Sequence, residues 1–258
     1  MRECKTIEEL SQLAHDHLDV LSPRGKSAFW TMLPKLIQIR DGGPPRTNLR
    51  HVQMKEQLDT ILCNTLENIE AFDFRDIATT ALGLAKIVKH VGPIRRKKPP
   101  TGSPHQILHD LLIGVNSENK QFMFGKIAML STPILSDFDA RSLSNFIYAY
   151  GLAECVPNVD GGRTLFDVVA VEAIYNLRHF NSQDLSNILW AYANVGASNS
   201  ALFNAAGDSV IALEDLSEFM PQKISNIVWA YATAVETHPR LFMKFADYIV
   251  AMNDLRVF

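Results

Sequence analysis

The chain of 258 residues lacks any uninterrupted apolar run of about 18 residues, the length a membrane-spanning helix needs. Cysteine is scarce. Cys4, Cys63 and Cys155 are odd in number and far apart, which excludes a disulfide framework and a clustered zinc site. There is no Asn-x-Ser/Thr acceptor, and no basic or apolar leader opens the chain, because Glu8 and Glu9 arrive early. Glycine and proline, 13 and 12 residues, are near average usage, and with 47% hydrophobic residues wholesale disorder is excluded. These absences lead to the expectation of a globular protein of a reducing compartment, without a membrane span.

Charge of one sign is also missing in bulk, since the formal net is only −3. The balance is uneven: residues 1–110 carry 16 Lys and Arg against 13 Asp and Glu, and residues 111–258 carry 9 against 15. A strongly basic nucleic-acid binder is therefore not written in the overall electrostatics.

What is present is an internal repeat. Phe138-Asp-Ala-Arg-Ser-Leu-Ser-Asn145-Phe-Ile-Tyr-Ala-Tyr150, Phe180-Asn-Ser-Gln-Asp-Leu-Ser-Asn187-Ile-Leu-Trp-Ala-Tyr192 and Phe219-Met-Pro-Gln-Lys-Ile-Ser-Asn226-Ile-Val-Trp-Ala-Tyr231 align without a gap. Weaker copies run from Phe72 to Leu84 and from Leu21 to Leu33. The anchors lie 51, 66, 42 and 39 residues apart, and adding 39 to Phe219 reaches Phe258. The expectation is a single array over 1–258, a fragment that stops where another repeat would begin.

Each anchor opens a helix. Ser22, Asp73, Asp139 and Asn181 are good N-caps in the second column, where Met220 is the exception. Pro23 and Pro221 suit the first helical position. Leu185, Ile188, Leu189 and Tyr192 form an i, i+3, i+4, i+7 stripe, repeated by Leu143 to Tyr150 and by Ile224 to Tyr231, with Ala149, Ala191 and Ala230 beside it. Phe124, Phe166, Phe203 and Phe242 lead a second helix in each unit, 14, 14, 16 and 16 residues before the next anchor position. The fold expected is all-α: an α-α superhelix, a solenoid of five helical hairpins with repeats of about 39 residues. Segments 6–20 and 51–69 supply flanking and second helices. Residues 90–104 form a basic, Pro-rich loop insertion in the second repeat, and Gly161-Gly162 closes a loop in the third. Neither the period nor the residue preferences suit a sheet.

The phrase Leu-Ser-Asn-Ile-Leu-Trp-Ala-Tyr-Ala at 185–193, with its copies at 143–149 and 224–232, resembles the octotricopeptide-type repeats of organellar RNA-binding proteins. Such arrays occur before the RAP domain and, in related form, in a kinetoplastid RNA-editing substrate-binding complex. The resemblance is specific in the last three repeats and loose in the first two, where Ala28 and Thr79 replace the asparagine. It implies an α-solenoid that binds single-stranded RNA, an organellar transcript or rRNA, in processing, stability or translation. It also implies a mitochondrial or plastid setting, and other ribonucleoprotein subunits as partners. No RAP domain is present in this sequence, so nothing that domain does is carried over.

The candidate RNA-binding residues fall into columns. Arg24, Arg75, Arg141, Gln183 and Gln222 stand at the second helical position, beside free N–H groups that can hold a phosphate or simply face water. Asn145, Asn187 and Asn226 stand one turn on, able to meet base edges or to hold adjacent repeats together. Trp190 and Trp229, with Tyr148 in register, are expected in the core with Tyr192 and Tyr231, stacking on bases being the alternative. Arg95, Arg96, Lys97 and Lys98 are the dense basic cluster, suited to a nucleic-acid backbone or to plain solvation.

Enzyme signatures fail one by one. Gly25-Lys26-Ser27 ends like a phosphate-binding loop, but Val20 stands where its first glycine belongs. His105 and His109 share a helix face without the glutamate of a zinc protease or a third ligand. The expectation is a non-enzymatic RNA-binding adaptor with no cofactor and no metal. The rival is an armadillo-like protein–protein scaffold, favoured by the acidic C-terminal half.

Overall fold

A computed structural model of the chain describes residues 4–37, 48–92, 103–197 and 199–251. The described residues are mostly α-helical, and the chain divides into two compact units, 1–133 and 134–258. The five anchored helices are all present, four of them starting directly after a polar cap residue and the fifth at Pro221.

The first unit contains α1 (Ile7–Asp16), α2 (Pro23–Ile37), α3 (Asn48–Glu67), α4 (Phe74–Val91), α5 (Pro104–Leu112) and α6 (Glu118–Ser131). The Ser22 hydroxyl accepts the Gly25 N–H, and the Asp73 carboxylate accepts the Asp76 N–H at 2.8 Å. Gly25-Lys26-Ser27 therefore lies inside a helix. α2 and α4 pack face to face, and α1 covers α2 and α3. A Cβ on Gly83 would lie 2.4 Å from the Trp30 carbonyl oxygen, so these two backbones approach closer than any other residue permits. Trp30 is fully buried, and its indole N–H donates to the Thr65 hydroxyl at 3.0 Å. The insertion is shorter than the sequence suggests. Its first residues complete α4, and Ser103 caps α5, an additional helix that packs on α3, α4 and α6.

The second unit contains α7 (Ala140–Ala153), β1 (Asn158–Asp160), β2 (Arg163–Thr164), α8 (Leu165–Asn176), α9 (Ser182–Val195), α10 (Ser200–Ala212), α11 (Pro221–Thr233) and α12 (Pro239–Ala251). The two strands are short, and the unit stays helical as a sequence whose period and preferences do not suit a sheet leads one to expect. Gly161 and Gly162 both take positive φ, 48° and 88°, which closes a two-residue hairpin. First helices pack in the order α7, α9, α11, and second helices in the order α8, α10, α12. The Ser144 hydroxyl donates to the Asp184 carbonyl, and that of Ser182 to the Glu218 carbonyl. A Cβ on Gly151 would sit 2.7 Å from the Ala191 Cα, so the small residues set the spacing of α7 and α9. The Lys244 ammonium ties α12 to the end of α10 through the carbonyls of Ile211 and Leu213.

One contact locks α9 and α11 each to the second helix before it. The Tyr192 hydroxyl donates to the Phe166 carbonyl at 2.5 Å, and that of Tyr231 to the Phe203 carbonyl at 2.6 Å. The rings of each pair meet edge to face, with centroids 4.9 Å and 5.0 Å apart. Burial pushes both phenols well above their usual pKa, so they stay neutral donors. The phenylalanine column and the tyrosine column of the sequence are thus two halves of one joint.

Each first helix of this unit also ends alike. Glu154, Gly196 and Val235 take left-handed φ of 50°, 68° and 58°, and the next N–H returns to the carbonyl of Tyr150, Tyr192 or Tyr231. Glycine suits this position; the β-branched Val235, 88% exposed, does not. Val235→Gly is expected to stabilise the protein by about 1 kcal/mol in denaturant unfolding, relief of left-handed strain outweighing the glycine entropy. Tyr192→Phe, which removes only the hydroxyl, is expected to destabilise it by about 1 kcal/mol.

Candidate nucleic-acid interface

Tyr192 and Tyr231 are buried as the sequence suggests, but Trp229 is not. It is 42% exposed, and Trp190 is half-buried. The correction follows from helix geometry, because two residues along an α-helix turn the side chain by about 200°. In Trp-Ala-Tyr the tyrosine enters the joint, so the tryptophan must face the other way. The outward rings form a row, with Tyr148 and Trp190 centroids 5.0 Å apart, and Trp190 and Trp229 stacked at 6.4 Å with planes 26° apart.

This row borders an open cleft of about 460 Å³ lined by Tyr148, Gln183, Asn187, Trp190, Met220, Pro221, Gln222, Lys223 and Asn226. Four candidates from two sequence columns, Gln183, Gln222, Asn187 and Asn226, thus share one site. Their hydrogen bonds differ. The Gln183 amide donates to the Asn187 side-chain oxygen at 2.7 Å, one turn along the same helix. Asn226 donates instead to the Ser186 hydroxyl of the neighbouring helix at 3.3 Å. Asn226 therefore helps hold α9 and α11 together, whereas Asn187 belongs to the cleft wall. Burial pushes the Tyr148 phenol up, so it too stays neutral.

The first unit has a cleft in the same register. It measures about 850 Å³ and is lined by Cys4 and by residues of α2, α4 and the α4 cap, among them Arg24, Ser27, Ala28, Thr31, Lys35, Asp73, Arg75, Asp76 and Thr79. Arg24 and Arg75 occupy the column of Gln183 and Gln222, and Ala28 and Thr79 that of the asparagines. The hydroxyls of Ser27 and Thr79 hydrogen-bond each other at 2.5 Å, matching the Ser186 and Asn226 pair position for position. Threonine here does the cross-helix work of asparagine. Asp76 has its pKa raised by burial and by Asp73, with Arg24 opposing.

Arg141 and Asn145 line neither cleft. Arg141 is exposed on the first turn of α7, and its charge acts on Asp184, whose carboxyl is pushed up mainly by burial and pulled back by an N–H of Asn181 and by this arginine. The cluster Arg95, Arg96, Lys97 and Lys98 lies outside the described residues. Lys35 lies past the aligned stretch of the first repeat, which ends at Leu33, and so was not among the column residues. Pro221 and Met220 are legible in the sequence only as helix-start residues.

Among the described residues no group of three or more His, Cys, Asp or Glu side chains could hold a metal ion. No helix among them is long and apolar enough to cross a membrane. His109 lies 3.3 Å from Asp110 on its own helix. The chain matches no family model, and no curated protein matches it.

The contrast between outward tryptophan and inward tyrosine is measurable. Trp229→Ala is expected to cost about 2 kcal/mol of stability, in proportion to its partial burial. Tyr231→Ala should cost about 3–5 kcal/mol, as a fully buried large aromatic does.

Proposed function

We propose that this chain is a non-enzymatic helical-repeat protein that binds single-stranded RNA along the exposed faces of its first helices. The observation that carries the reading is the cleft where the Tyr148 and Trp190 rings stand beside the Gln183, Asn187 and Gln222 amides. Flat rings at repeat spacing offer stacking surfaces to successive bases, and amides offer both donor and acceptor to base edges. A second cleft at the same repeat positions in the first unit supports it, as does the octotricopeptide-like wording of the last three repeats.

The proposal extends to architecture and setting. The five hairpins build one α-solenoid, the RNA is an organellar transcript or rRNA, the site of action is a mitochondrion or plastid, and the partners are other ribonucleoprotein subunits. A protein–protein scaffold is the competing reading, and the acidic balance of residues 111–258 favours it.

Fluorescence anisotropy with single-stranded RNA at two salt concentrations separates the two. Binding that weakens as salt rises is expected, with log K falling linearly against log salt; no binding at either concentration would leave the scaffold. Trp190→Ala should weaken binding by about tenfold or more, a stacked base contributing about 1–3 kcal/mol. Asn187→Ala should alter base preference with little change in melting temperature, whereas Asn226→Ala should lower the melting temperature.

A further inference from the structure

The two clefts occupy the same place in the repeat and present different chemistry. In the second unit the cleft has two aromatic rings, four side-chain amides and one cation, Lys223. In the first unit it has three cations, Arg24, Lys35 and Arg75, and neither an aromatic ring nor an amide. Where Tyr148 and Trp190 stand, α2 has Thr31 and α4 has Leu82. Where Asn187 and Asn226 stand, α2 has Ala28, and the Thr79 hydroxyl is committed to Ser27 and to the Arg75 carbonyl at 2.7 Å. A nucleobase would meet no aromatic face here and no side-chain amide edge. A phosphate would meet guanidinium and ammonium groups, all three exposed.

We propose that the α2/α4 cleft grips the sugar-phosphate backbone of a single strand without regard to base, and that the α7/α9/α11 cleft supplies the base contacts. The assignment rests on the RNA-binding reading above and adds a division of labour to it. Asp73 and Asp76 line the same cleft and reduce its net charge. Asp73 is occupied as the cap of α4, and the Asp76 carboxyl is pushed up mainly by burial and then by Asp73, with the Arg24 charge opposing. The surplus of cations over acids is small, so the cleft favours a polyanion over a lone phosphate ion. Its volume, about 850 Å³ against about 460 Å³, suits a bulky hydrated backbone rather than a slot for one ring.

The test uses the full chain with two labelled probes of equal length, oligouridine and an abasic ribose-phosphate oligomer, followed by anisotropy over a salt series. Both probes should bind, the abasic one more weakly. The Arg24→Ala, Arg75→Ala double variant should weaken both by the same factor and reduce the salt slope by about 1.4, or 0.7 for each phosphate no longer neutralised. Its counterpart with lysine at both positions should keep the slope, which separates charge from folding. Trp190→Ala should weaken oligouridine alone by about tenfold and leave the slope unchanged. If oligouridine binds and the abasic oligomer does not, or if the double alanine variant keeps the full slope, the backbone assignment is wrong while RNA binding stands. If neither probe binds, the RNA reading itself fails.

Discussion

The joint between a tyrosine hydroxyl and a phenylalanine carbonyl organises the second unit. A phenol buried against an edge-on ring needs a partner for its O–H, because a hydroxyl left unpaired in an apolar interior costs about 1–3 kcal/mol. The carbonyl in the first turn of the preceding second helix supplies it, at Phe166 for Tyr192 and at Phe203 for Tyr231. This requirement fixes the rotation of α9 and of α11 about their own axes. Every other face of those helices then has an assigned direction. Alanine meets the neighbouring first helix, serine ties its backbone, and tryptophan is left on the outward side, with Trp190 on the cleft itself.

The cleft is therefore a by-product of how the hairpins lock. Its rings are held by the same helices whose inner faces are closed by tyrosine, so the ladder from Tyr148 to Trp229 is preset by the core. Fixed rings lose little conformational freedom when a flat ligand arrives, which favours binding by stacking. The first unit keeps the cross-helix hydroxyl pair of Ser27 and Thr79 and the arginine column, and has no tryptophan on its cleft. One scaffold rule thus presents two chemistries, aromatic and amide in one unit, cationic in the other.

Much of this was legible because it depends on local rules. The caps Asp73, Asp139 and Asn181 each accept the expected first-turn N–H, and the stripes of Leu143 and Leu185 are buried, as is that of Ile224 except for Val228, which is 38% exposed. The asparagine column was harder. Asn187 and Asn226 share the same sequence context, yet one bonds within its helix and the other across to Ser186. That difference depends on what stands opposite each amide, which no periodicity reports. The tryptophans face outward against expectation because hydrophobicity predicts burial only on average, and the direction of a side chain follows from the residue that claims the core.

By itself, then, the sequence determined the starts of the anchored helices and most of the inward stripe, since capping and 3.6-residue periodicity act over a few neighbouring residues. It also carried the columns from which both clefts are made. Tertiary structure alone decided that Tyr192 rather than Trp190 enters the joint, that Gly161-Gly162 closes a strand pair, and that α5 fills a place beside α3, α4 and α6. It alone brought Lys35 of α2 and Arg75 of α4 to one cleft. Those outcomes depend on distances between residues far apart in the chain, and packing, not pattern, sets such distances.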